Sequence, residues 1–340
     1  MIKPKPREAI VIVTPALQSA NNGNWRTAER WARFLSSSYD VQLCSSWPLN
    51  ELDAHAEGSG NKHLASLLIA LHARRSAASI HAWAKDCPTQ PLVTVLTGTD
   101  LYPAIEKDPV ALRSLEQSTG LVVLQEQGVT ALPEKFRAKA TVIYQSAKAW
   151  KPRPVKPMPF TLRMVGHIRL EKSPETFLKL AQCFAPYNSI RFELIGGVID
   201  PHLGERVREV SNQLSFFSWH GAMSHLATRT RIRNAHLLVH PSQLEGGAHV
   251  ILEAVMSGTP VLASNVPGNV GMLGKDYLGY FEYGNVQQLK DLVCECQQSY
   301  LKGKGLYFDL LEQASSREAL FHPAYEQHTL LRFVKNLLPS

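Results

Sequence analysis

Short apolar runs alternate with helical patterns along this chain, and the alternation is broken by Lys151–Pro159 (KPRPVKPMP), which places four prolines in nine residues. Proline fixes φ and lacks an amide hydrogen, so neither a helix interior nor a central strand runs through this stretch. Before it, Ala9–Val13, Leu67–Leu71, Leu92–Leu96, Leu121–Leu124 and Thr141–Tyr144 read as buried strands. Helical patterns at Trp25–Leu35, Ala77–Ala84 and Pro109–Glu116 fall between them. After it the rhythm restarts, with strands at Thr161–Val165, Phe192–Ile195, Leu237–Val239 and Val261–Ala263 and helices at Phe177–Phe184 and Val250–Ser257. Unbroken apolar strands alternating with helices belong to parallel sheets covered on both faces.

The 340 residues exceed what one hydrophobic core usually covers. The expected fold is therefore α/β, with two Rossmann-like, doubly wound domains at 1–150 and 160–324 joined by a hinge at 151–159. Residues 325–340 form an amphipathic helix with Leu330, Leu331, Val334 and Leu337 on one face, expected to pack back toward the N-terminal domain. Ligands of open α/β sheets bind beyond the carboxyl ends of the strands, so the expected site is a cleft between the two domains.

Composition narrows the class. With 44% hydrophobic and 19% charged residues the chain is neither disordered nor unusually polar. No apolar stretch approaches the roughly 20 residues of a membrane span. Lys3, Lys5 and Arg7 precede the apolar run Ala9–Val13, but that run is too short for a signal peptide and meets Pro15, so it reads as the first strand. The five scattered cysteines suit a reduced cytoplasm. A net charge of +7 favours an anionic partner. No basic helix interleaved with aromatics occurs, which favours phosphorylated small molecules over nucleic acid.

Four constellations carry the chemistry. In Pro241–Gly258 (PSQLEGGAHVILEAVMSG), Glu245 and Glu253 stand eight residues apart on either side of Gly246, Gly247 and Ala248. If a helix begins near Gly246, the carboxylates lie roughly 12 Å apart along its axis, about the span from hexose to ribose in a nucleotide sugar. Otherwise Glu253 joins His249 and Ser257 in a solvated stripe and Glu245 is a first-turn residue favoured by the helix dipole. In Gly166–Lys172 (GHIRLEK), Arg169 and Lys172 are placed to neutralise a diphosphate leaving group, or are surface charges paired with Glu171 and Glu175. Gly23, in the loop Gln18–Asn24, permits close backbone approach to a ligand, or simply makes a turn. At the ends of first-domain strands, His72, Arg74 and Arg75, with Thr97 and Asp100 in TGTD, form a receptor for a small anion, or are a core histidine and solvent-facing arginines. Asp100 orients His72 or caps the following turn. The chain has no Asp-x-Asp and no zinc-spaced His/Cys cluster, so side chains and helix ends are expected to meet a diphosphate without a metal or other cofactor.

Together these segments resemble the two-domain GT-B glycosyltransferases of family 4. The resemblance covers the Gly23 loop, the His72 strand end, TGTD, GHIRLEK, the Glu-x7-Glu pair and Gly258–Ser264 (GTPVLAS). It implies Glu245 on donor-sugar hydroxyls with Gly246–Ala248 supplying backbone donors, Glu253 on the ribose, and Lys172 with an arginine on the diphosphate. The chain departs from that family at His167, where arginine is common, at Thr97, where histidine is common, and at Gly271, where glutamate is common. A narrower likeness accounts for the departures. LHARRSAASI, LTGTDLY, LRSLEQSTGLVVLQEQG, SQLEGGAHVILEA and NVPGNVGMLGKDYLGYF are similar to the selenosugar synthases of selenoneine biosynthesis. That similarity implies transfer from UDP-N-acetylglucosamine, or a similar UDP-sugar, to selenophosphate with formation of a carbon–selenium bond. An ordinary family 4 hexosyltransferase and a non-catalytic nucleotide-sugar-binding protein are the competing readings.

Overall fold

The structure is a computed structural model, and the residues it describes are 7–15, 23–48, 65–102, 105–153, 158–185 and 190–338. The chain divides into two compact units, Met1–Gln145 with Pro323–Ser340, and Ser146–His322.

The first unit runs β1 (Ala9–Val13), α1 (Gly23–Leu35), β2 (Asp40–Cys44), β3 (Ala65–Leu71), α2 (Ala77–Asp86), β4 (Leu92–Leu96), α3 (Pro109–Gln117), β5 (Gly120–Val123), α4 (Gln127–Thr130), α5 (Glu134–Arg137) and β6 (Ala140–Val142). Its strands form a parallel sheet in the order β2-β1-β3-β4-β5-β6. Both faces of β1 are covered. Ile10 and Ile12 pack with Trp31 and Leu35 of α1, while Val11 and Val13 pack with Ile80 and Trp83 of α2. Because side chains alternate between faces, a strand buried on both sides is apolar at every position, which is why these runs are legible in the sequence. The C-terminal helix, Pro323–Leu337, inserts Leu330 and Val334 into the α1 side of this core. It is anchored by Glu326, fully buried, which accepts from Arg30 Nε at 2.7 Å, Arg30 Nη2 at 3.0 Å and Trp31 Nε1 at 2.7 Å.

The second unit begins at Ser146, ahead of the proline run. The Ala147 amide donates to Phe321 O at 3.1 Å and the Trp150 amide to Met256 O at 2.8 Å. Its elements are β7 (Phe160–Val165), α6 (Pro174–Gln182), β8 (Ile190–Ile195), α7 (Pro201–Gln213), β9 (Phe217–Trp219), α8 (His225–Asn234), β10 (Leu237–His240), α9 (His249–Val255), β11 (Val261–Ser264), α10 (Pro267–Leu273), β12 (Tyr280–Phe281), α11 (Val286–Lys302) and α12 (Leu306–Ser315). The parallel sheet is ordered β12-β11-β10-β7-β8-β9.

In each unit the order reverses once along the sheet, between β1 and β3 and between β7 and β10. At such a switch point the connections leave toward opposite faces, so the loops beyond the two carboxyl ends part and leave a crevice. The loops after β7 and β10 carry GHIRLEK and Glu245, and the loop after β3 carries His72, Arg74 and Arg75. Among the described residues no helix is long and apolar enough to cross a membrane.

Candidate active site

Beyond β7 the chain passes through Gly166, a short 3-10 turn at Leu170–Lys172, and Ser173 before entering α6. A Cβ on Gly196, at the end of β8, would lie 1.8 Å from the Gly166 carbonyl oxygen, so only glycine lets the β7 and β8 loops approach this closely. Ser173 takes φ +48°, in the left-handed region that a side chain disfavours. Its hydroxyl lies 3.0 Å from the Tyr283 hydroxyl. The turn directs Lys172 back over Gly166, and its Nζ donates to Glu245 Oε1 at 2.5 Å. Arg169 faces elsewhere, with Nε 3.8 Å from Glu171 Oε2. The two cations are thus differently engaged, Lys172 by Glu245 while the buried Arg169 Nε makes no hydrogen bond to a described residue.

Glu245 lies in the loop, not on a helix. Helix α9 begins at His249, three residues past Gly246, so the expected spacing of two carboxylates along one helical axis does not hold. Gly246 and Gly247 extend the loop and Ala248 caps the helix without a side-chain hydrogen bond. The loop is tied to the β7 side by the Gln243 amide, which donates to Glu171 O at 2.8 Å. It is backed by α10, where a Cβ on Gly268 would lie 2.0 Å from the Glu245 carbonyl oxygen. His240, the last residue of β10 and 1% exposed, donates from Nε2 to Glu245 Oε1 at 2.9 Å. Burial pushes the Glu245 carboxyl up, but Lys172 and His240 outweigh it and hold the group well below the usual carboxylate range. Burial lowers the pKa of His240 against the pull of Glu245. Both donors use Oε1, and no described residue hydrogen-bonds Oε2.

Glu253 is 4% exposed, which removes the solvated stripe as its setting. It faces His225, the first residue of α8, which hydrogen-bonds Oε1 through Nε2. His249 Nδ1, one turn before it on α9, lies 3.3 Å from the same oxygen. Burial again opposes ionisation, and the hydrogen bonds from the two imidazoles outweigh it, so this carboxyl too lies well below its ordinary range.

In the first unit, β3 ends at Leu71 and His72 adopts φ +76° while 3% exposed. His72 Nδ1 accepts from the Arg75 amide at 3.3 Å, which leaves Nε2 protonated toward Thr99 Oγ1 at 3.1 Å. Burial lowers the His72 pKa, Asp100 opposes it, and Arg75 and Arg74 add to it. Asp100 does not cap a helix. Its Oδ1 accepts from the amides of Thr97 and Gly98, both at 2.9 Å, and its Oδ2 from the Ala73 amide at 2.8 Å, so it clamps the β3 and β4 loops together. Thr97 therefore enters through its amide. Arg74 is paired with Asp108, while no carboxylate among the described residues pairs with the exposed Arg75. Gly23 is the first residue of α1 with open space at its Cβ position, and 16–22 of its predicted loop lie outside the described residues.

Residues 146–298 match the family Glycosyl transferases group 1. The matched segment lies wholly within the second unit. Lys172, Arg169, Glu245, Gly246, Gly247, Ala248 and Glu253 fall inside the matched segment, and Gly23, His72, Arg74, Arg75, Thr97 and Asp100 outside it. Protein CapJ of Staphylococcus aureus is 41% identical over 61 residues, which is 18% of this chain and 15% of that protein. Sucrose-phosphate synthase from Thermosynechococcus elongatus superposes with a TM-score of 0.73 at 15% identity over 97% of this chain and 99% of that one. Anabaena HepE, solved with UDP and glucose, superposes with a TM-score of 0.70 at 15% identity over 97% and 99%. TarM of S. aureus, solved with UDP and alpha-GlcNAc-glycerol among its ligands, gives 0.63 at 15% over 81% of this chain, which spans 55% of TarM's length. The architecture is GT-B, with two parallel six-stranded sheets among the described residues.

Around the two glutamates, His240 and His225 are functional candidates that the motifs do not point to, whereas His249 stands at helical spacing from Glu253 but was read as part of a solvated stripe. His240 closes an apolar strand and His225 opens a helix 28 residues before Glu253, so neither spacing points to a carboxylate. Thr99 was likewise passed over, because only the fold brings it to His72.

Proposed function

We propose that this chain is a glycosyltransferase that moves a sugar from UDP-N-acetylglucosamine, or a similar UDP-sugar, to selenophosphate. The observation that carries the donor half is the Lys172–Glu245–His240 cluster in the segment that matches group 1 glycosyl transferases, which presents an ammonium beside an ionised carboxylate with one oxygen unengaged. Glu245 Oε2 accepts from donor-sugar hydroxyls, Gly246, Gly247 and Ala248 supply amides, and Glu253 accepts from the ribose. As selenium bonds to the anomeric carbon and the carbon–oxygen bond to the diphosphate breaks, charge grows on the leaving oxygen. Lys172, with two ammonium protons beyond the one given to Glu245, neutralises that charge. No metal is required for this step.

The acceptor half rests on the resemblance of the first unit to selenosugar synthases and on the chemistry at the end of β3. Selenophosphate is already an anionic nucleophile and needs cations rather than a strong base. Arg75, without a carboxylate partner among the described residues, and the neutral His72 with Thr99 fit that demand. No disulfide joins the five cysteines, all of them among the described residues, which is compatible with a cytoplasmic setting.

The test is incubation of pure protein with UDP-hexoses and selenophosphate, followed by mass spectrometry. UDP and a selenium-containing sugar are expected. Equal UDP release with a hydroxyl acceptor and no selenophosphate assigns an ordinary hexosyltransferase, and UDP-sugar binding without release assigns a non-catalytic binder.

A further inference from the structure

Glu245 and Glu253 are built alike: in each, two nitrogen donors converge on Oε1 and no described residue hydrogen-bonds Oε2. For Glu245 one of the two is Lys172, but for Glu253 both are imidazoles. The three side chains do not make a metal-binding group, since none of three or more His, Cys, Asp or Glu occurs among the described residues. His249 has room for one role only. Its Nδ1 faces Glu253 and its Nε2 is buried without a hydrogen-bond partner, so Nδ1 is the nitrogen through which it engages the site. His225 is different. Its side chain is 44% exposed, it stands at the start of α8 behind the Ser224 cap, and it donates to the same oxygen. A buried carboxylate left with torsional freedom would turn either oxygen toward water or protein. Fixing Oε1 from two helices leaves Oε2 as the one acceptor with a defined direction.

We infer that His225 and His249 are positioning residues that lock Glu253 through Oε1 and aim Oε2 at a vicinal diol, so that the pair sets the preference for ribonucleotide over deoxyribonucleotide donors. This rests on the reading that the site binds a UDP-sugar with its ribose at Glu253. A ribose 2′-hydroxyl then gains a charge-assisted hydrogen bond that a 2′-deoxy sugar cannot make, and the gain depends on Oε2 being held in place rather than on the presence of the carboxylate alone.

Calorimetric titration of the full chain with UDP and with 2′-deoxy-UDP tests this. Wild type is expected to bind UDP about tenfold more tightly than 2′-deoxy-UDP. In His225→Ala that ratio is expected to fall toward one with 2′-deoxy-UDP affinity little changed, and His225→Asn, which keeps a side-chain N–H, is expected to restore part of it. His249→Ala should act in the same direction. Should the His249 variant fail to fold, the half-exposed His225 carries the test alone. Wild-type discrimination that survives intact in His225→Ala overturns the inference while leaving the donor reading standing. Failure of wild type to bind UDP at all overturns the donor reading, and with it this inference.

Discussion

Lys172 Nζ donates to Glu245 Oε1 at 2.5 Å across 73 residues of sequence, and this contact joins the loop after β7 to the loop after β10. The pair is mostly buried, with side chains 17% and 9% exposed, so each charge is met mainly by the other rather than by water. Removing one member of such a pair costs more than the pair contributes. Lys172→Ala should therefore lower stability by about 2–4 kcal/mol, read from urea unfolding. It should lower kcat about 100-fold while the donor KM moves far less, because the charge it neutralises grows only as the bond breaks. A rise in KM alone would remove the proposed role.

Backbone approach sets the same loop. Gly268→Ala places a methyl group 2.0 Å from the Glu245 carbonyl oxygen, where backbone rather than a flexible side chain must yield. The expected outcome is a displaced Glu245 loop, with kcat/KM down at least about tenfold. Gly274→Ala is the contrast, because open space surrounds its Cβ position and its cost comes from φ +91° alone. Steady-state kinetics and thermal unfolding of the two variants separate the effects. Gly274→Ala should lose stability without the loss of kcat/KM.

The buried site predicts a two-step acid profile. Burial places the folded-state pKa of His240 below the 6.5 of an unperturbed imidazole, so the unfolded chain binds its proton first as pH falls. Stability from this group is complete above about 6.5 and is lost as pH falls from there toward the folded value. Glu253 has a folded pKa lowered from 4.5, so its contribution is complete above that value and is lost at lower pH. Denaturant midpoints measured from neutral to acid pH should fall in both ranges. Glu253→Gln should shrink the lower step, to which Glu245 also contributes, and leave the upper one.

Much of the fold was legible because central parallel strands are apolar on both faces. Ala9–Val13 and Leu92–Leu96 match the structure residue for residue. The strands that sequence reading passed over are β2, β9 and β12, all at or toward sheet edges, where Asp40 is exposed, Ser218 and Trp219 are half-buried, and two residues suffice for pairing. An edge strand has no need of a continuous apolar run, so it leaves little signal. The site was legible as a set of residue types and less so as geometry. Gly246-Gly247 read as the opening of a helix that begins at His249, which moved Glu245 from a helical face to a loop. His240 on Glu245 and His225 on Glu253 come from other elements, and no local spacing encodes them, whereas His249 shares α9 with Glu253 at i,i+4.

Arg74 and Arg75 were equivalent in the sequence and are not in the structure. Arg74 hydrogen-bonds Asp108, which also caps α3 by accepting from the amides of Val110 and Ala111 at 3.0 and 3.1 Å. Its charge is thus already met, and at 52% side-chain exposure that pairing adds little stability. Arg75 is exposed without a carboxylate partner among the described residues, and its amide holds His72 Nδ1 so that the imidazole stays neutral and points its N–H at Thr99. An incoming anion gains a full charge interaction from Arg75 but must compete with Asp108 for Arg74. Arg75→Ala should therefore raise the KM for the anionic acceptor about tenfold and leave donor KM unchanged, while Arg74→Ala should raise it by much less. Initial rates against acceptor concentration at fixed donor measure both. Equal effects would place Arg74 and Arg75 on the acceptor together and show that Asp108 yields its arginine on binding.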